Sequence, residues 1–128
     1  MAKMTRVVQF GVGPIGARIA KLAHEKEGIR VVGAIDVDPG KVGKDLGELI
    51  GAEYLGVRVS DDAGSVLKRT RPDVVFHATT SSLRAAIEQI EIAARARADI
   101  VSTCEELAYP KAQHPDLARR IDRIAKRY

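Results

Sequence analysis

Arg6-Val7-Val8-Gln9-Phe10-Gly11-Val12-Gly13-Pro14-Ile15-Gly16 is the stretch that decides the fold. A β-rich run reaches Gly11 and gives way at once to a segment of helical period. Between the two stands G-x-G-x-x-G. Gly11 permits a tight turn out of the strand. Gly13 lacks a Cβ, so the backbone there can approach a pyrophosphate, and Gly16 lets the helix pack closely on the strand. The helix start adds backbone N–H groups and the positive end of a dipole, both suited to phosphate. Pro14 takes the first helical position, where its missing N–H costs nothing. The glycine spacing alone is a weak signal. Its place between strand and helix makes it a dinucleotide fingerprint.

Downstream the helix is expected over 14–27, with Ile15, Ile19, Leu22 and Ala23 on one face and Gly28 ending it. A second strand, Ile29 to Ile35, closes on Asp36, which stands 20 residues past Gly16. That is where an acid that reads the adenosine ribose belongs. A carboxylate there accepts from both ribose hydroxyls and repels a 2′-phosphate. No Arg or Lys follows immediately in Val37-Asp38-Pro39-Gly40-Lys41. NAD is therefore expected ahead of NADP, which stays the weaker option. The plain alternative is a turn of Gly and Asp between packed elements.

Strand and helix signals go on alternating. A short helix is expected around Lys44 to Ile50, a brief extended piece at Val57 and Val59, and a helix through Val66 and Leu67 capped by Asp61 or Asp62. Asp73 to Ala78 is nearly continuous in apolar residues, as a strand buried on both faces should be. Residues 82–97 carry Leu83, Ala86, Ile87, Ile90 and Ala94 on one side of a helix. Asp99 to Ser102 is another strand. A last helix begins near Pro115 with the stripe Leu117, Ile121, Ile124 and Tyr128. Alternating β and α with crossover-length helices implies a doubly wound parallel sheet, the Rossmann arrangement, with residues 1–128 as one dinucleotide-binding domain.

Ligands in such folds lie beyond the carboxyl ends of the strands. Thr79, Thr80 and Ser81 sit at one such end, placed to contact the nicotinamide side of a dinucleotide. Any one of Thr80, Ser81 or Ser82 is as well suited to cap the next helix. His77 suits acid–base work by residue type, yet inside an apolar run a packed, hydrogen-bonded histidine is the commoner case. Glu105 and Glu106 follow the last strand at the same edge. They read either as carboxylates that hold an ammonium or move a proton, or as helix-start carboxylates favoured by the dipole. Cys104 reads as a small core or loop residue.

Composition narrows the function classes. The 128 residues are 45% hydrophobic and 30% charged, as in an ordinary globular domain. No apolar stretch approaches the roughly 20 residues of a membrane span, and no signal peptide precedes the first strand, so a cytoplasmic address is expected. The single cysteine excludes an intrachain disulfide framework and a multi-cysteine metal site, and no metal is expected. The net charge of +4 comes from residues 111–128, with six basic residues against two acidic ones. No aromatic residue interleaves with that cluster apart from Tyr128. A solvated helix face is therefore expected rather than nucleic-acid binding.

Four blocks together carry a resemblance: Val7 to Gly16, Gly43-Lys44-Asp45-Leu46-Gly47, Asp73 to Ser82, and Val101-Ser102-Thr103-Cys104-Glu105-Glu106-Leu107-Ala108-Tyr109-Pro110. The chain resembles the N-terminal domain of the 2,4-diaminopentanoate dehydrogenase and amine dehydrogenase family, which is related to dihydrodipicolinate reductase. The last block is the most specific. The resemblance implies NAD(P)-dependent oxidation of an amine carbon, reversible as reductive amination of a ketone. It also implies that Glu105 first, or Glu106, positions the amine or ammonia. The family continues into a further strand and a substrate domain where this chain stops at Tyr128. The chain is thus expected to be a cofactor domain without full catalysis. The strand at 99–102 is expected to expose its outer edge, which favours a homodimer. The alternative is a stand-alone nucleotide-binding module that regulates and does no chemistry.

Overall fold

Strand β1 (Thr5–Phe10) runs through the middle of a five-stranded sheet. The computed structural model describes residues 3–80, 82–104, 107 and 115–128. On one side β1 pairs in parallel with β2 (Ile29–Ile35), from Thr5 opposite Ile29 to Phe10 opposite Ile35. On the other it pairs in parallel with β4 (Val74–His77), with Phe10 opposite His77. Strand β3 (Val59–Ser60) extends the sheet beyond β2, and β5 (Asp99–Ser102) extends it beyond β4. The order β3-β2-β1-β4-β5, all parallel, is that of the doubly wound dinucleotide fold.

The pleat of β1 divides the core. Val7 joins Val31, Val12, Ala20, Ala23, Leu46 and Ile50 under helices α1 (Pro14–Glu25) and α2 (Leu46–Ile50). Val8 and Phe10 join Ile35, Val75, Val66, Leu67 and Ala93 under α3 (Ala63–Thr70) and α4 (Leu83–Arg95). The last helix, α5 (Pro115–Arg127), lays Leu117 against Ala86, Ile87, Ile90 and Cys104. Arg120 reaches the Glu91 carboxylate at 2.9 Å and so ties α5 to α4, while Arg95 pairs with the same carboxylate at 3.1 Å within α4. Arg119, Arg123, Lys126 and Arg127 are exposed, a solvated face. No helix among the described residues is long and apolar enough to cross a membrane.

The structure corrects one face. Helix α1 buries Gly16, Ala20 and Ala23, while Ile15 and Leu22 are 62% and 67% exposed. Periodicity picked the large residues. The packing demands small ones, because α1 approaches β1 so closely that a Cβ on Gly16 would run into the Gly11 carbonyl. Helix boundaries shift by a turn or less. Helix α1 ends at Glu25, and Gly28 serves the turn into β2 at φ +84°. Helix α2 starts after Asp45, whose carboxylate accepts from the N–H groups of Gly47, Leu55 and Val57. Those bonds hold the Asp45 carboxyl below its ordinary range, although its desolvation opposes them. Asp62, not Asp61, caps α3 by accepting from Ser65 N–H at 3.0 Å.

Candidate functional site

The site begins where β1 ends. Gly11 takes φ +101°, a conformation that suits glycine, and its N–H donates to the Ile35 carbonyl at 2.7 Å. A Cβ there would strike the Ala78 carbonyl. At Gly16 a Cβ would strike Gly11 itself. Gly13 is different. It holds the N-cap position of α1 in an ordinary extended conformation, and a Cβ built on it meets nothing within 4 Å among the described residues. Gly13 has no side chain to cap α1, so among the described residues the first turn presents N–H groups without helical partners. The packing requires glycine at 11 and 16. At 13 it does not, and the backbone there lies bare toward the cleft.

Two charged side chains grip the residue between these glycines. Asp36 accepts from Val12 N–H with Oδ2 at 2.8 Å and from Asp38 N–H with Oδ1 at 2.9 Å. Lys41 donates from Nζ to the Val12 carbonyl at 2.8 Å. A cleft of about 280 Å3 opens here, lined by Gly11, Gly13, Asp36, Lys41, Thr79 and Gln89 among others. A second, of about 270 Å3, adjoins it at Gly13 and Thr79 and is lined by Pro14, Ile15, Gly16, Thr80 and Thr103. Eight residues singled out from sequence therefore converge on one sheet edge: Gly11, Gly13, Pro14, Ile15, Gly16, Asp36, Thr79 and Thr80. Ser81, Glu105, Glu106 and the side chain of Leu83 lie outside the described residues. A larger groove, of about 600 Å3, lies between α3 and α4, away from this edge.

Behind Thr79 stands a buried polar cluster. His77, 2% exposed, places Nδ1 2.8 Å from Ser102 Oγ and Nε2 2.7 Å from Gln89 Oε1. Thr79 Oγ1 donates to the same Gln89 oxygen at 2.6 Å. Phe10 meets the imidazole edge-on at 5.6 Å. Burial pushes the His77 pKa below 6.5, against the Gln89 hydrogen bond. His77 is thus the packed, hydrogen-bonded histidine, with both ring nitrogens engaged. Ser82 occupies the N-cap of α4 without a side-chain bond, and its N–H donates to Thr80 Oγ1 at 3.1 Å. Cys104 is buried and sits in the core against α4 and α5.

Sequence reasoning missed three polar residues. Gln9 lies fully buried beneath the glycine turn, where Nε2 donates to the Gly11 carbonyl at 3.1 Å. Its Oε1 is buried with no hydrogen-bond partner among the described residues. A glutamine in an apolar central strand was the available signal. Gln89 gave the same signal on the inner side of α4. Lys41 was quoted but set aside, because it does not follow Asp36 immediately in sequence.

The edge fits a dinucleotide by these observations: a bare glycine backbone, an uncapped helix start and a carboxylate at the end of β2. Comparison with known proteins agrees. Residues 5–109 match the family described as dihydrodipicolinate reductase, N-terminus. A 2,4-diaminopentanoate dehydrogenase of Acetoanaerobium sticklandii is 33% identical over 94% of this chain and 35% of its own length. A 4-hydroxy-tetrahydrodipicolinate reductase of Methanocaldococcus jannaschii is 38% identical over 77% of this chain and 36% of its own. The solved structure of an amine dehydrogenase from Mycobacterium smegmatis superposes with a TM-score of 0.90 at 42% identity, over 95% of this chain and 36% of that one. The chain thus spans about a third of the length of these relatives.

Proposed function

Because the chain belongs to the family of dihydrodipicolinate reductase N-termini, an NAD(P)-binding domain of oxidoreductases, we propose that it is the cofactor lobe of an enzyme that oxidises amine carbons or forms them by reductive amination. The likeness to an amine dehydrogenase at 42% identity and to a diaminopentanoate dehydrogenase at 33% supports amines as the substrate class. Residues 1–128 form one dinucleotide-binding domain in this reading. The observation that carries it is Gly13, a glycine that the packing of the described residues does not require.

Each residue then has a task. Gly11, Gly13, Pro14, Ile15 and Gly16 shape the backbone that receives the pyrophosphate. Asp36 keeps lone pairs for the ribose hydroxyls after accepting one N–H on each oxygen. Thr79, Thr80 and Ser81 serve the nicotinamide half. Glu105, or Glu106 beside it, holds the amine or ammonia. The dinucleotide supplies hydride transfer when bound. The chain's own contribution is to bind it and to fix its two halves along the sheet edge. Hydride transfer also needs the substrate carbon held about 3–3.5 Å from the cofactor ring. One lobe offers one wall of that pocket.

The 128 residues are accordingly expected to bind NADH without measurable amine dehydrogenase turnover. A chain that also carries the segments by which the relatives exceed it should turn over amines. Glu105→Ala in that longer chain should remove most activity with little change in NADH affinity. Turnover by the 128-residue chain contradicts the one-wall argument. Full activity with both glutamates replaced contradicts their assignment. Among the described residues β5 is one of the sheet's two edges, with Val101 59% exposed. Pairing of that edge between two copies accounts for the expected homodimer. A monomeric sedimentation profile at high concentration contradicts it.

A further inference from the structure

We propose that the groove between α3 and α4 binds a small organic carboxylate, its anionic head between Arg71 and Arg95 and its apolar body along Leu67 and Ile92. The site is independent of the dinucleotide reading. Pro72 and Ala96 place it at the amino ends of β4 and β5, away from the glycine turn. Its volume of about 600 Å3 is in the range of small-molecule sites. One wall is α3, which lines it with Gly64, Leu67, Lys68 and its cap Arg71, at the spacing of one helix face. The other is α4, through Ile92, Arg95 and Ala96.

Helix α3 is built against its own stability at two positions, and both line the groove. Gly64 stands in the first turn, where most residues suit a helix better. A Cβ there would meet only Asp62 Oδ1 among the described residues, at 3.8 Å, so packing does not call for glycine. Arg71 closes the helix in the left-handed conformation, φ +47° and ψ +62°, with its N–H donating to the Leu67 carbonyl at 3.0 Å. Glycine takes this cap without strain. The chain thus carries glycine where a side chain would help the helix, and a long side chain where glycine would help. A ligand accounts for both. The first leaves room for its body, and the second supplies a guanidinium for its head.

The charges suit an anion at one end only. Lys68, Arg71 and Arg95 are exposed at the rim, and no carboxylate is among the described lining residues. Arg95 is already paired with Glu91. Lys68 and Arg71 have no ion pair among the described residues. The carboxyl ends of α3 and α4 oppose an anion with about half a charge each, which three cations outweigh. A guanidinium fork matches a carboxylate with two parallel hydrogen bonds. Toward Gly64 the sign reverses, because the Asp62 carboxylate caps α3 there. From Asp62 to Arg71 the helix rises roughly 13 Å. That length takes one anionic head and an apolar body, and disfavours a ligand charged at both ends.

Phenylbutyrate and phenylbutanol share a body and differ in the head, and their titration into the isotope-labelled 128-residue chain, followed by amide chemical shifts, tests this. Phenylbutyrate should saturate with a Kd below about 1 mM and shift the amides of Gly64, Leu67, Arg71, Ile92 and Ala96. Phenylbutanol should bind at least tenfold more weakly, and saturating NADH should leave the phenylbutyrate affinity unchanged. Arg71→Gly and Gly64→Leu should each weaken phenylbutyrate by tenfold or more and melt no lower than the parent. Absence of saturation, shifts confined to another surface, or competition with NADH overturns the proposal. Equal affinity for the two probes makes the groove a mere apolar crevice and overturns it too. So does unchanged affinity in folded Arg71→Gly. A variant that melts lower than the parent shows that the residue serves the fold, and also overturns it.

Discussion

The two halves of the sheet's carboxyl edge are built from different materials. At the β1–β2 half the cleft is made by backbone: three glycines, the Val12 peptide groups and the two charged side chains that grip them. At the β4–β5 half it is made by side chains. Thr79 and Thr80 line it, and His77, Gln89 and Ser102 form a hydrogen-bonded cluster behind. The first half is fixed by steric limits that hold only at certain positions. The second is fixed by polar groups that other side chains can replace. A substitution in the first half should therefore be felt as loss of fold or loss of ligand. One in the second should be felt as a shift in condition.

The largest effect is expected at Gly16. Gly16→Val places a side chain against backbone that cannot move, and should cost at least about 3 kcal/mol of stability, read by urea unfolding. A loss below about 1 kcal/mol would mean that α1 does not need its close approach to β1. Next comes Asp36→Ala. Charge-assisted bonds of roughly 1.5–3 kcal/mol each are lost to the ribose, so NADH binding should weaken by tenfold or more. Unchanged affinity would move the ribose elsewhere. The smallest effect belongs to the other half. His77 has its pKa depressed by burial, so its neutral form is the one the fold prefers. Above pH 6.5 it is neutral folded and unfolded alike, and contributes no slope. Below that value the unfolded chain takes up the proton first, and stability should fall until the folded pKa is reached. His77→Gln should flatten the slope in that window, and an unchanged slope would assign the titration to another group.

The same division explains what the sequence revealed. The doubly wound parallel sheet followed from alternating strand and helix signals, and the turn from glycines whose spacing has a steric meaning. Helix α1 was misread at Ile15 and Leu22, though not at Ala23, because hydrophobic period cannot show that close packing selects the small residues Gly16, Ala20 and Ala23. Lys41 could not be placed beside Asp36 without the Asp38–Gly40 turn that returns it. Gln9 and Gln89 stand out in the sequence only as polar residues within apolar elements. Their weight comes from the burial of Gln9 beneath the turn and from the bonds Gln89 makes to His77 and Thr79.

The central claim is that the turn from Gly11 to Gly16 holds the dinucleotide, and Gly13 tests it most directly. NADH should be titrated calorimetrically into the unmodified chain and into Gly13→Val, with thermal unfolding of both recorded alongside. Since a Cβ at this position meets nothing within 4 Å among the described residues, the variant should melt within a few degrees of the parent. It should nevertheless lose NADH binding, because the added side chain occupies the approach to the backbone. A folded Gly13→Val that binds NADH with unchanged affinity would contradict the account.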